Sequence, residues 1–130
     1  MSYLDDIVYL FENNAITGGA TGWTAYKEFT PEGEDNLVVI YSTGGTGAQT
    51  KDLNSRDVDF QIALRGTAND LPSTENKLEA IKQLLIAQKN TIINSVSYAG
   101  IVEVSERIST GRDDNNRPQL VQNFKAFRNA

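Results

Sequence analysis

The chain has 130 residues, no cysteine and no histidine. It is long enough for one domain with a modest core, but lacks the thiols of a disulfide framework or zinc site and the commonest proton shuttle. Seventeen acids against twelve bases give a net charge of -5, which argues against gripping nucleic acid by phosphate neutralisation. Apolar residues at 39% and charged residues at 22% are the proportions of a folded globular chain. The first residues, Met1 to Asp6, are acidic where a signal peptide would be basic, and no apolar run approaches the ~20 residues of a membrane helix. These features predict a soluble product of the cytoplasm with no membrane partner.

In chain order, Leu4, Ile7, Val8, Leu10 and Phe11 fall on one side of a helix over Tyr3–Asn14, with Ser2 and Asp5 in a capping-box-like arrangement. Thr17–Gly22 reads as a loop. Trp23–Phe29 is either a short strand or an irregular arm, with Trp23 able to anchor it on the core. Leu37–Tyr41 is a continuous β-prone run, the pattern of a strand covered on both faces. Ser42–Thr50 reads as too flexible for regular structure. Asp57–Arg65 then alternates, with Val58, Phe60, Ile62 and Leu64 on one face and Asp57, Asp59, Gln61 and Arg65 on the other. A helix starts at Leu71-Pro72-Ser73 with Ser73 as N-cap and runs to about Asn90, its apolar stripe being Leu78, Ile81, Leu84 and Leu85. Tyr98–Val104 and Gln119–Arg128 are the last strands.

This order predicts a single two-layer α+β domain in which a mixed, mainly antiparallel sheet packs against two helices. Residues 1–36 form the N-terminal helix and a variable arm, and residues 37–128 form the core. Phe60, Ile62, Leu64, Leu78, Ile81, Leu85 and Phe124 are expected in one core, with the strands at Asp57–Arg65, Tyr98–Val104 and Gln119–Phe127 in one sheet. The polar segments Gly18–Asn36 and Thr43–Arg56 exceed ordinary connections. They are expected to be mobile in an isolated subunit and to be ordered by contact with neighbours.

Little in the chain points to catalysis. The Gly-rich Thr43–Gly47 segment lacks the lysine and hydroxyl of a phosphate loop. Asp57 and Asp59, two apart on one strand face, allow either a divalent cation or a solvated face. Asp113-Asp114-Asn115 lacks the alternating ligands and closing Glu of a calcium loop. No cofactor or metal is expected.

The most distinctive segment is Ser109–Pro118, where six charged or amide side chains, a glycine and a proline stand between two β-like runs. A turn needs such residues, yet two arginines exceed its needs, and Arg is suited to forked pairing with a neighbour's carboxylate. Arg112 and Arg117 serve either assembly or the turn itself, the latter as solvated residues or by pairing with Asp113 or Asp114.

The strand Val58–Gly66 is followed by a helix with Ala80-Ile81 and Leu84-Leu85, and then by Gly100-Ile101. Gly111-Arg112-Asp113-Asp114-Asn115-Asn116-Arg117-Pro118 comes next and leads into Asn123-Phe124. In this order and spacing, over roughly Leu37–Arg128, the chain resembles the tail terminator (tail completion or minor capsid) proteins of long-tailed bacteriophages. One departure is Asn116 at a position that is often Gly, which Asn can replace in a left-handed conformation. The resemblance implies a non-enzymatic virion protein, assembled in the host cytoplasm. It implies a homohexameric ring at the head-proximal end of the tail that caps the tube, ends its polymerisation and offers a head-joining surface. Its partners would then be itself, the tail tube protein and a head-completion or connector protein, with DNA passing through the lumen unbound. A head–tail connector or neck protein, and more distantly a small ligand-binding domain or enzyme, are the alternatives. The assembly surface is assigned to Gly111, Arg112, Asp113, Asp114, Asn115, Arg117 and Pro118, and through the long loops to Trp23, Thr43, Gly44 and Gly45.

Overall fold

The computed structural model describes residues 3–18, 21–48 and 55–129. Helix α1 (Tyr3–Asn13) leads to β1 (Thr24–Lys27), β2 (Leu37–Ala48), β3 (Ser55–Arg65), α2 (Leu71–Ile86), β4 (Lys89–Ile93), β5 (Val96–Glu103), β6 (Ile108–Arg112) and β7 (Pro118–Asn129). The expected α+β architecture is present as a seven-stranded mixed sheet with two helices. Its path is β1-β2-β3-β7-β5-β4, and β6 also pairs with β7. β1 and β2 are parallel and every other pairing is antiparallel.

The β3–β7 ladder is the backbone of the sheet, running without a break from Ser55 opposite Asn129 to Arg65 opposite Gln119. On its other side β7 is shared. β6 pairs with it from Pro118 to Val121, and β5 pairs with it from Phe124 to Asn129. The chain between them pauses at Ser105, whose Oγ takes the N–H of Asn123 and whose carbonyl accepts from the buried Gln122 amide. The three strands expected in one sheet therefore share it.

Val58, Phe60, Ile62, Leu64, Leu120, Phe124 and Ala126 point inward and meet Leu78, Ile81 and Leu85 of α2 and Leu4, Ile7, Leu10 and Phe11 of α1. Phe60 and Phe124, direct partners across the ladder, stack with ring centroids 5.7 Å apart. Such a pair adds about 0.5–1.5 kcal/mol to simple burial. Leu37 to Ile40 are all buried, as a strand covered on both faces requires.

Several boundaries differ from expectation. The Gly-rich stretch after Tyr41 is strand: β2 continues to Ala48 against β3, with bulges at Ser42/Gly44 and Thr46/Ala48. Residues 43–48 and 55–56 are thus ladder rather than free loop, because a partner strand supplies the hydrogen bonds that local propensity does not. The Ser2 cap lies outside the described residues. In α2 the N-cap is Asp70, whose carboxylate accepts from the Ser73 N–H at 3.3 Å, with Pro72 in the first turn where no N–H is missed. The helix stops at Ile86, and Lys89 and Asn90, expected at its end, instead begin β4, which pairs with β5. Asn94 and Ser95 make the two-residue turn between β4 and β5, both with positive φ. Ser109–Arg112, read as loop, belong to β6 (Ile108–Arg112).

Gly66 fixes the junction from β3 into α2. Its N–H donates to the Pro118 carbonyl at 3.1 Å, and a Cβ there would lie 1.9 Å from Thr74 Oγ1 and 3.3 Å from Thr74 Cβ. Thr74 is fully buried in the first turn of α2, so it has little room to give. Gly66→Ala should cost about 1–3 kcal/mol in urea unfolding, as overpacking does. Adding Thr74→Ala should return part of that loss, and unchanged stability in Gly66→Ala would contradict the packing described.

Candidate functional site

The turn from β6 to β7 is organised by one carboxylate. Asp113 Oδ1 accepts from the Asn115 N–H at 3.0 Å and the Arg117 N–H at 2.9 Å, and Oδ2 accepts from Arg117 Nε at 2.7 Å. The Asn116 N–H closes onto the Asp113 carbonyl at 3.0 Å, and Asn116 takes φ +61°, the left-handed conformation expected of it. This is the three-residue hairpin connection that ends in a left-handed residue. Burial pushes the Asp113 carboxyl up, but the bonds from Arg117 and Asn115 outweigh it and hold the carboxyl below its ordinary range.

Arg117 is buried, at 6% exposure. Besides Asp113, Nη1 donates to the Glu34 carbonyl at 3.0 Å and to Asp35 at 3.2 Å, and Nη2 donates to the Glu32 carbonyl at 3.0 Å. Desolvation alone would lower its pKa, but the two carboxylates raise it, so it stays charged. Arg65, the outward residue at the end of β3, is equally buried and donates to the carbonyls of Pro31 and Glu34. Two arginines, one ending β3 and one just before β7, thus hold the backbone of residues 31–34 against the sheet face opposite the helices. Tyr26 adds a bond to the Glu34 carboxylate, and Thr30 pairs with the Tyr41 hydroxyl. The arm expected to be mobile over Gly18–Asn36 is, where described, tied down within its own subunit.

The expected interface residues therefore separate into three places. Gly111, Arg112, Asp114 and Asn115 are exposed on β6 and its turn, and Arg112 Nη1 donates to Asn69 Oδ1 at 3.2 Å. Arg117 and Pro118 are buried and Asp113 is half-buried, so these three shape the turn. The guanidinium of Arg117 is engaged inside the subunit, pairing with Asp113 as the turn alternative expected and also with Asp35 and two arm carbonyls. Trp23 is also buried, in the core beside α1 and α2, with the Lys77 ammonium 5.6 Å from its ring centroid. Lys77 donates to the Ile16 carbonyl at 3.0 Å, and burial pulls its pKa down. Thr43, Gly44 and Gly45 lie on β2, with Thr43 and Gly44 exposed.

Arg65 and the arm residues it holds are not among the site residues expected from the sequence. The available signal was an arginine ending an alternating strand, together with a Pro-Glu-Gly-Glu-Asp run whose carbonyls needed donors. Asp57 and Asp59 are both half-buried, and Asp59 faces Lys125 at 3.8 Å. Among the described residues no group of three or more Asp or Glu side chains is placed to hold a metal ion, and no helix is long and apolar enough to cross a membrane.

The polar side chains of this region fix an arm and a hairpin on the α+β sheet. The family model described as "Bacteriophage tail terminator protein" matches residues 13–128. The chain belongs to the bacteriophage tail terminator family and is a structural protein of the phage tail. Among solved structures the fold is similar to a chain of the "Virion of native gene transfer agent (GTA) particle". The TM-score is 0.59 at 14% identity, covering 82% of this chain and 80% of that one. No curated protein sequence matches.

Arg117→Ala should lower stability by about 1–3 kcal/mol, the cost of leaving buried carbonyls and a carboxylate without their donor. Arg112→Ala, at an exposed side chain, should stay within about 0.5 kcal/mol. Thermal melts of the two variants check this contrast, and equal melting temperatures would contradict the burial of Arg117.

The Asp113 bonds also set a pH dependence. Its folded pKa lies below the ordinary carboxyl value, so its contribution is complete above about pH 4 and is lost as pH falls through the folded value. Urea unfolding of wild type and Asp113→Asn at a series of pH values should therefore show their stabilities converging toward acid. A gap that widens on acidification would reverse the sign.

Proposed function

We propose that this chain forms a homohexameric ring at the head-proximal end of the phage tail tube. The ring stops tube polymerisation and presents the surface that a head-completion or connector protein engages. The match of the tail terminator family over residues 13–128 carries this reading. The protein acts by binding rather than by catalysis and is assembled into the virion in the host cytoplasm. DNA traverses the lumen without specific contacts, which the net charge of -5 favours by repelling phosphate.

A closed ring needs two different patches on each subunit. Gly111, Arg112, Asp114 and Asn115 belong to one, and Thr43, Gly44 and Gly45 to the other. Arg117, Asp113 and Pro118 hold the first in shape, and Trp23 contributes through the core.

Electron microscopy of tails assembled with and without the protein tests the function. Terminator action predicts overlong tube polymers in its absence and tails of defined length when it is restored. Tails of normal length that fail to join heads would instead assign the protein to the connector step.

A further inference from the structure

Besides the outer edges of the terminal strands β1 and β4, the sheet leaves two strand edges open among the described residues, and they lie on opposite sides of it. β1 covers β2 only as far as Lys27 opposite Ile40, after which Glu28 donates its main-chain N–H to the Ile40 carbonyl and accepts the Ser42 N–H on its carboxylate. Beyond that point, among the described residues, no strand pairs the outer edge of β2 over Thr43–Ala48. At the other side, among the described residues, β6 pairs with β7 alone, and all five of its residues are exposed. The two openings are staggered. Thr43–Ala48 belongs to the end of the sheet where β7 is paired with β5, and β6 belongs to the end where β1 covers β2.

Open edges are normally guarded by charge, by proline or by a covering element. Thr43-Gly44-Gly45-Thr46-Gly47-Ala48 contains no charged residue and no proline, and Ile108-Ser109-Thr110-Gly111 contains none before Arg112. Each edge bends at a bulge with a positive-φ glycine, Gly44 at +106° and Gly111 at +90°, and a Cβ at either would meet nothing within 4 Å. Those glycines serve a bend, not a tight fit. A bent edge rejects a flat strand and accepts one bent in the same sense.

The geometry points to strand addition between copies: the β6 edge of one subunit pairs with the Thr43–Ala48 edge of the next. The occupant of each edge is thus a second copy of this chain. The contact is head-to-tail, because the two edges are different and lie on opposite sides of one sheet. Main-chain bonds supply the attraction, and Arg112, at the end of β6, guards the register. This inference rests on the homohexamer reading above and specifies which backbone edges carry it.

The chain has no cysteine, so introduced thiols report directly. Thr43→Cys and Thr110→Cys should not cross-link efficiently alone, should give a covalent dimer when mixed, and should give a ladder of multimers when combined in one chain. Thr43→Lys and Thr110→Lys, both at exposed positions, should each fold with unchanged circular dichroism. Each should raise the concentration for half-assembly by at least about tenfold in sedimentation. A mixture of the two lysine variants should stop at heterodimers, because each retains one usable edge.

Wild type that assembles while the lysine variants assemble equally well would overturn the edge assignment and leave the ring standing. The same holds if thiols join like with like, or join the tail tube protein in place of a second copy. Wild type that stays monomeric at every concentration, and on tail tubes, would overturn both.

Discussion

The fold depends on one buried carboxylate. Asp6, in the first turn of α1, is 1% exposed and accepts the Tyr98 hydroxyl at 2.5 Å and the Asn94 amide at 3.2 Å. Burial, and then the hydrogen bond to Asp6, push the Tyr98 hydroxyl well above its ordinary pKa, so it remains a donor. One residue earlier, Asp5 forms an ion pair with Lys27 at the end of β1. Adjacent side chains on a helix point about 100° apart. Two successive acids thereby reach both ends of the sheet, β1 on one side and the β4–β5 hairpin on the other. The helix packs against β1, β2 and β4 and bridges the terminal strands, which belong to opposite edges. A buried carboxylate carries a desolvation cost that these donors and its place in the first turn of the helix offset. Its position therefore specifies the docking of α1 more sharply than apolar packing alone does.

The second organising constraint is the pair Arg65 and Arg117. β1 and β2 are parallel neighbours joined by a short irregular connection with no helix, which must run back across the sheet. Parallel connections ordinarily bury a helix to cover that face. Here the carbonyls of Pro31, Glu32 and Glu34 are met by guanidinium groups instead. The arrangement covers Leu37 and Val39 on the face away from the helices and explains why this strand is apolar on both sides. It also couples the β6–β7 turn to the arm, since Arg117 bonds to both.

Elements whose own periodicity matches their burial were legible in the sequence. The alternation of β3, the stripe of α2 and the apolar side of α1 each report a face that the fold does bury. The parts that were not legible are those decided by a neighbour. Thr43 to Ala48 carries no strand signal, and it is extended because β3 lies beside it. Lys89–Ile93 is too short and too polar at its start to outweigh the helix before it, and the Asn94-Ser95 turn lacks the glycine that marks a two-residue hairpin. In the Ser109–Pro118 segment the turn chemistry was visible, including the left-handed role of Asn116. The division of labour between the arginines was not. Arg112 and Arg117 are five residues apart in similar polar company, and only the position of the arm distinguishes an exposed side chain from a buried clamp.

The pause at Ser105 gives the sheet a mechanical joint. Along one side β7 is bonded to β3 over all eleven residues of that strand, whereas along the other it meets two short strands with a break between them. At residues 104–107 that side is held by single bonds instead of a ladder, with Val104 donating to the Asn123 carbonyl and Arg107 paired with Glu75 of α2. A tension along β7 is instead shared across the whole β3 ladder, where bonds must shear together. The domain is thus stiff along its strands, since any load on β7 falls on one continuous ladder.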